Sequence, residues 1–442
     1  MSAPLKLGLA GLGTVGISAL KRLVSMENEL AIKAGRALRV EAVSARNPNK
    51  DRGVDLTRFS WYTDPTEMAK SDEIDVFVEL IGGDSGPAEE AVRAAIMAGK
   101  HVITANKALL ARHGNELAQL AEEHNVSINF EAAVAGGIPV VKAIREGLTS
   151  NTITRIYGIL NGTCNYILSR MEDEGIAFED CLKDAQRLGY AEADPSFDIE
   201  GNDTAHKLAI LTSLAFGNQI DIDSIFLEGI TSITQADIVA AEELGFRIKL
   251  LGVAQKTESG IEQRVHPTMV PMDSPIAQID GVTNAVAIEG DAIGLITLAG
   301  PGAGGAATAS AVIADVIDIA RGLKVKPLGR PAATLQPYKP AEMRAHEGGY
   351  YIRLKVSDQS GVFASIANRM AEQGISLESI VQRKAKDKVE LKSEVITKDK
   401  TPQDVVLITY ETTELAIRTA IETIVTDGHV VASPQVIRIE RL

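Results

Sequence analysis

Asp203 and Lys207 stand four residues apart in the stretch 202–216, whose apolar residues include Leu208 and Leu211. On a helix that spacing puts a carboxylate and an ammonium on one side, one turn apart. Glu192, Asp194 and Asp198 precede them in a loop that also carries Pro195 and Gly201. A lysine set among carboxylates can serve as general acid and base. It gives a proton to a carbonyl oxygen as hydride reaches the carbon, and takes it back in reverse. The same pair on a solvated face is an ion pair worth under about 1 kcal/mol. The spacing alone leaves both readings open.

A hydride donor is expected from a second motif. GLGTVG carries Gly11, Gly13 and Gly16, with Thr14 and Val15 between them. It follows a strand within the first dozen residues and opens a helix, the context that gives this weak pattern meaning. Gly11 permits a tight turn, Gly13 lets the backbone approach a pyrophosphate, and Gly16 allows close helix–strand packing. The helix start adds free N–H groups and a positive dipole end. The next strand, VEAVSA, ends in Ser44 and Ala45 and is followed by Arg46, Lys50 and Arg52, while Glu41 lies at its other end. An arginine beside the ribose suits a 2′-phosphate, so NADP(H) is expected, with NAD(H) tolerated.

Composition narrows the rest. Net charge is -14, which argues against nucleic acid or an anionic membrane as partner. Two cysteines without paired spacing exclude a disulfide scaffold or thiolate zinc cluster, and seven scattered histidines form no ligand pair. No apolar run reaches the ~18 residues of a membrane span, and no signal peptide fits before the first strand. A cytoplasmic protein is expected.

These residues need elements to position them. Strands are expected at 5–10, 39–44, 75–81, 101–104 and 126–130, alternating with helices at 15–26, 88–98 and 107–124. That order predicts a parallel, Rossmann-type sheet covered on both faces. From about Gly136 longer helices, at 165–173, 178–188 and 202–216, mix with strands at 153–160, 247–255 and 285–289, predicting an α+β substrate and dimerisation domain. GPGAGG at 300–305 opens an Ala-rich helix through Arg321 that returns to complete the first domain. The expected boundaries are 1–135 (completed by about 305–325), 136–304, a linker at 326–349 and a module at 350–442. Strands at 350–356, 375–382, 405–410 and 430–440, with helices at 362–373 and 414–425, give that module βαββαβ order, a ferredoxin-like split unit. A surplus strand is expected at 389–397.

Three stretches, VITANK at 102–107, GILNGTCNYILSRM at 158–171 and GYAEADPSFDIEGNDTAHKLAIL at 189–211, together resemble homoserine dehydrogenase. The resemblance runs in order over roughly residues 5–325. It implies an enzyme interconverting L-aspartate 4-semialdehyde and L-homoserine, in threonine, methionine and isoleucine biosynthesis. It implies that Lys207 is the catalytic lysine, with Lys107 a second active-site lysine and Asp203 helping to hold the substrate. Glu192 would bind the substrate ammonium, and Gly162 and Thr163 would meet its α-carboxylate. Gly82, Thr104, Lys107 and Gly302 would approach the cofactor. Backbone oxygens of Glu131, Val134, Gly136 and Ile138 would hold a monovalent cation such as Na⁺. The rival readings are another two-domain amino-acid dehydrogenase and a ligand-sensing regulator with a merely structural nucleotide fold.

The tail, with DQSGVFASIANRMAEQGISLESIVQ at 358–382, resembles an ACT domain. That resemblance implies a regulatory domain binding threonine near Asp358 and Gly361, and pairing of chains into a homodimer or homotetramer. The charged KAKDK at 384–388 departs from the ACT pattern and puts the effector pocket in doubt.

Overall fold

The computed structural model describes residues 3–341, 346–357, 359–383 and 402–440. Asp358, KAKDK and the expected strand at 389–397 lie outside the described residues.

The first sheet contains β1 (Leu5–Ala10), β2 (Leu38–Ser44), β3 (Ser60–Tyr62), β4 (Val76–Glu79), β5 (His101–Thr104) and β6 (Ile128–Asn129). All neighbours are parallel and the order is β3-β2-β1-β4-β5-β6. The order reverses between β1 and β4, and ligands of open α/β sheets bind at the carboxyl ends of the strands flanking such a switch. Helix Gly305–Ala320 returns to this sheet. Its Val312, Ile313 and Val316 share a core with Leu7, Leu9 and Leu20.

The second sheet is larger. It contains β7 (Ile153–Ile159), β8 (Phe226–Leu227), β9 (Phe246–Lys256), β10 (Ile261–Pro271), β11 (Thr283–Gly290), β12 (Gly294–Pro301), β13 (Glu347–Val356), β14 (Leu377–Arg383), β15 (Gln403–Thr409), β16 (Thr412–Thr413) and β17 (Gln435–Ile439). Its main path runs β12-β11-β7-β9-β10-β17-β13-β15-β14. The last four in that order are the strands of the βαββαβ unit, crossed by helices Val362–Glu372 and Glu414–Thr426.

The tail is therefore continuous with the middle of the chain. β17 pairs in parallel with β10 through Thr268 and Met269. Buried charges accompany the seam: Glu440 bonds Arg264 and Arg155, both at 2.5 Å, and Arg264 also pairs with Glu262. The described part of the expected linker is likewise strapped down. Gln336 exchanges backbone bonds with Gly217 and Gln219, and Ile261 does so with Lys339 and Ala341. The module's first strand begins at Glu347, three residues before the expected Tyr350.

Helix Asn202–Phe216 lies between β7, β9 and β10 on one side and helix Lys107–Glu123 on the other. That sandwich explains why it is buried nearly all round, Asp203 and Lys207 included. Among the described residues no helix is long and apolar enough to cross a membrane, and no group of three or more His, Cys, Asp or Glu side chains could hold a metal.

Candidate active site

The glycine turn crosses the carboxyl end of β1, where Gly11 N donates to Ser44 O of β2 and Leu80 N donates to Ala10 O. Gly11 has φ +98°, and a Cβ there would stand 2.3 Å from Leu80 O. One on Gly16 would stand 1.9 Å from Gly11 O, so a side chain would break the turn. Around Gly13 no atom lies within 4 Å of the Cβ position, and no side chain caps helix Thr14–Ser25. The chain thus presents bare backbone and free N–H groups where a pyrophosphate would sit.

The neighbouring loops are fixed by a residue that was not among the expected site residues. Glu79, wholly buried at the end of β4, accepts N–H bonds from Ile81 and Gly82 and the Thr104 hydroxyl. Thr104 in turn accepts from Asn106 N, and the Asn106 side chain bonds Gly83 O and caps the helix that Lys107 begins. One carboxylate thereby sets both loops at the sheet's edge. Thr104, expected at the cofactor, has its hydroxyl committed to Glu79 and lies outside the cavity lining.

Beyond this edge is a cavity of about 630 Å³. Lys107, Gly162, Thr163, Glu192, Asp203, Lys207 and Gly302 line it, with Val15 and Gly136 toward the nucleotide domain. At its wall Lys207 Nζ lies 2.7 Å from Asp203 Oδ2 and 2.6 Å from Leu160 O. Lys107 Nζ stands 3.2 Å from Asp203 Oδ1. Asp203 is 5% exposed and Lys207 8%, so this is a buried pair and not the solvated one that spacing also allowed. Burial alone would push the Asp203 carboxyl up, but the two ammonium groups and the Asn161 amide hold it well below the usual carboxylate range. Asp203 stays ionised.

Asn161 was missed by sequence reasoning although it begins the NGT triplet. Its Oδ1 caps helix Gly162–Glu174 through Cys164 N, while its Nδ2 donates to Asp198 and Asp203, each at 2.8 Å. The N–H groups of Gly162 and Thr163 meet no acceptor among the described residues. The Thr163 hydroxyl donates to Tyr190 O, tying the helix start to the loop that carries Glu192. Glu192 itself is exposed at the mouth. Burial and the neighbouring Asp203 push the Asp198 carboxyl up. Burial also raises the Cys164 thiol far above its ordinary range, so it is no thiolate nucleophile.

Other expected residues do not line the cavity. Arg46 is exposed on the loop after β2 and bonds nothing among the described residues, whereas Arg52 spends its guanidinium on the carbonyls of Asn47 and Lys50. The Glu131 carboxylate turns away, accepting N–H bonds from Val141 and Lys142. Val134 and Ile138 are buried beside the left-handed pair Ala135 and Gly136, each with φ 55°. Gly361, at φ 92°, begins a helix of the distant βαββαβ unit.

A glycine turn at the switch point of a parallel sheet, opening on a cavity with a buried lysine–carboxylate chain, defines a nicotinamide-dinucleotide-dependent dehydrogenase. Two family models match along the chain: the homoserine dehydrogenase NAD-binding domain over residues 11–131 and homoserine dehydrogenase over residues 139–317. A homoserine dehydrogenase of Pseudomonas aeruginosa is 49% identical over 390 residues, covering 87% of this chain and 89% of its own. The crystal structure of a homoserine dehydrogenase from Thiobacillus denitrificans has a TM-score of 0.91 at 43% identity, over 99% of both chains. A hyperthermophilic archaeal homoserine dehydrogenase, solved in complex with NADPH, has a TM-score of 0.62 at 27% identity, over 72% of this chain and 97% of that one. The chain belongs to the homoserine dehydrogenase family.

Proposed function

We propose that this chain interconverts L-aspartate 4-semialdehyde and L-homoserine in the cytoplasm, on the route to threonine, methionine and isoleucine, with NADP(H) preferred and NAD(H) tolerated. The observation that carries the reading is the buried Lys207–Asp203–Lys107 chain at the wall of a cavity reached from the glycine turn. When bound, the cofactor supplies hydride to the aldehyde carbon and accepts it in the reverse direction. The backbone at Gly11 and Gly13 fits its pyrophosphate, because nothing fills the space over Gly13.

Lys207 holds a proton on Nζ and passes it to the aldehyde oxygen, recovering it in reverse. Asp203, kept ionised between two ammonium groups, orients that Nζ. Glu192 at the mouth pairs with the substrate ammonium, and the free N–H groups of Gly162 and Thr163 receive its α-carboxylate. The exposed Arg46 and the NADPH-bound archaeal relative support the 2′-phosphate preference.

The reading extends to three further ligands. A sodium ion held by backbone oxygens of Glu131, Val134, Gly136 and Ile138 is supported by the carbonyls of Val134 and Gly136, which accept no hydrogen bond among the described residues. The βαββαβ unit is read as an ACT domain taking threonine near Asp358 and Gly361, supported by the left-handed opening at Gly361. Two or four copies of the chain are expected to pair, and exposed Ile293 and Leu295 beside and on the edge strand β12 support this. The test of the central reading is absorbance at the nicotinamide band with L-homoserine and NADP⁺. Turnover with homoserine and none with L-aspartate or L-malate is expected. Turnover with malate alone, or none with any, overturns it.

A further inference from the structure

One side chain in the cavity wall is left idle by the reaction above. Asn284, at the start of β11, is 1% exposed, yet neither its Oδ1 nor its Nδ2 has a hydrogen-bond partner among the described residues. Buried amides in folded proteins are nearly always paired, so an idle one in a cavity wall points to a partner that the chain does not supply.

Its surroundings narrow what that partner is. The next residue, Ala285, pairs with Ile159 of β7, immediately before the Leu160 carbonyl that accepts from Lys207. Asn284 itself pairs with Gly300 of β12, at the strand end that leads through Gly302 into helix Gly305–Ala320. A Cβ on Gly302 would stand 2.0 Å from Asn284 Cγ, and one on Gly162 would stand 3.4 Å from Asn284 Oδ1. Gly302 is thus glycine because the amide fills its side-chain space. A Cβ on Gly305 would in turn stand 2.5 Å from Ser18 Oγ of the glycine-turn helix. The amide therefore lies between the substrate-side helix start and the cofactor-side loop.

We infer that Asn284 receives the carboxamide of the nicotinamide ring and fixes the ring's rotation. The inference rests on the cofactor reading above. Hydrogen-bond complementarity selects this group. A substrate carboxylate or aldehyde only accepts and would leave Oδ1 unmet, whereas an ammonium only donates and would leave Nδ2 unmet. A hydroxyl can do both only from a single oxygen, with both bonds bent, whereas a planar primary carboxamide meets Oδ1 and Nδ2 with two separate, straight bonds. With its carboxamide held, the ring presents one face to the substrate, and Asn284 is a cofactor-positioning residue.

The test is calorimetric titration of the full chain with NADPH and with 2′-phospho-ADP-ribose, the same ligand without its nicotinamide. Asn284→Ala is expected to weaken NADPH about tenfold, the scale of a lost hydrogen-bonded pair, while leaving the fragment unchanged. Asn284→Asp, nearly isosteric, should do the same by losing the donor, and it serves if the alanine variant does not fold. Equal weakening of both ligands overturns the inference. So does unchanged NADPH affinity, whether accompanied by a raised KM for homoserine or by a lowered melting temperature alone. If the wild-type chain binds neither ligand, the cofactor reading itself falls and takes this inference with it.

Discussion

Lys207 and Asp203, one helical turn apart, form an ion pair 2.7 Å long that is almost entirely removed from solvent. Buried pairs of this kind are poor devices for stability, because desolvation consumes most of the Coulombic gain. Their retention in a cavity wall fits chemistry better than structure. Lys107 on the far oxygen of the same carboxylate strengthens that reading.

Removing the proton carrier should therefore spare binding and damage turnover. Lys207→Ala is predicted to lower kcat at least about 10²-fold, the usual scale for a general acid. NADPH affinity should stay within about twofold. Steady-state kinetics paired with cofactor titration checks both. A kcat loss under about tenfold would move the proton to Lys107 or to water.

The seam between β17 and β10 carries its own pH signature. Burial alone would raise the Glu440 carboxyl, but Arg264 and Arg155 hold it down to about 2, against 4.5 for a free glutamate. A carboxyl depressed by folding contributes stability that is complete above its unfolded pKa and is lost as pH falls toward the folded one. The melting temperature of the wild type should exceed that of Glu440→Gln near neutrality, and the gap should close between pH 4.5 and 2. Thermal melts across that range provide the check. A gap that stays constant contradicts the assignment.

A linker at 326–349 would let the tail be removed at no cost, and the observed sheet predicts otherwise. A chain ending at residue 341 loses β17 and with it Glu440, the buried partner of Arg264. It also frees the edge of β10 at Thr268 and Met269. Stripping one partner from a buried ion pair costs about 3–5 kcal/mol, and an unpaired strand edge invites aggregation. Melting and size-exclusion experiments should show a less stable, associating protein. A truncated chain that melts with the full one would show that the seam is dispensable.

Cofactor choice is read from Arg46. Arg46→Ala should raise KM for NADP⁺ at least about tenfold, the scale of a charge-assisted contact to the 2′-phosphate. KM for NAD⁺ should move less than about twofold. Equal changes would remove the arginine from the assignment.

Much of this was legible in the residues, and the reasons for the exceptions are physical. Gly11, Gly13 and Gly16 are readable because a turn, an open approach and a close packing each forbid a side chain. Strand–helix alternation made the first sheet legible as parallel, but not its order, and the short edge strand β3 was not expected. Asp203 and Lys207 were readable by spacing, but their burial was not, since it depends on helix Lys107–Glu123 closing over them. Glu79 offered one signal, a carboxylate inside the apolar run DVFVEL, which only a hydrogen-bond network makes tolerable. Asn161 offered another, an N-cap residue at a strand end. Asn284 offered none, because its meaning lies in the partners it lacks. The joining of β17 to β10 rests on contacts between residues about 170 apart in sequence, beyond the reach of local periodicity.

The most direct test of the central claim is a crystal structure of the full chain with L-homoserine and NADP⁺. The substrate hydroxyl oxygen should stand within about 3.2 Å of Lys207 Nζ, the reach a general acid requires. A hydroxyl held by Lys107 instead, with Lys207 still bound to Leu160 O and Asp203 alone, would contradict the account.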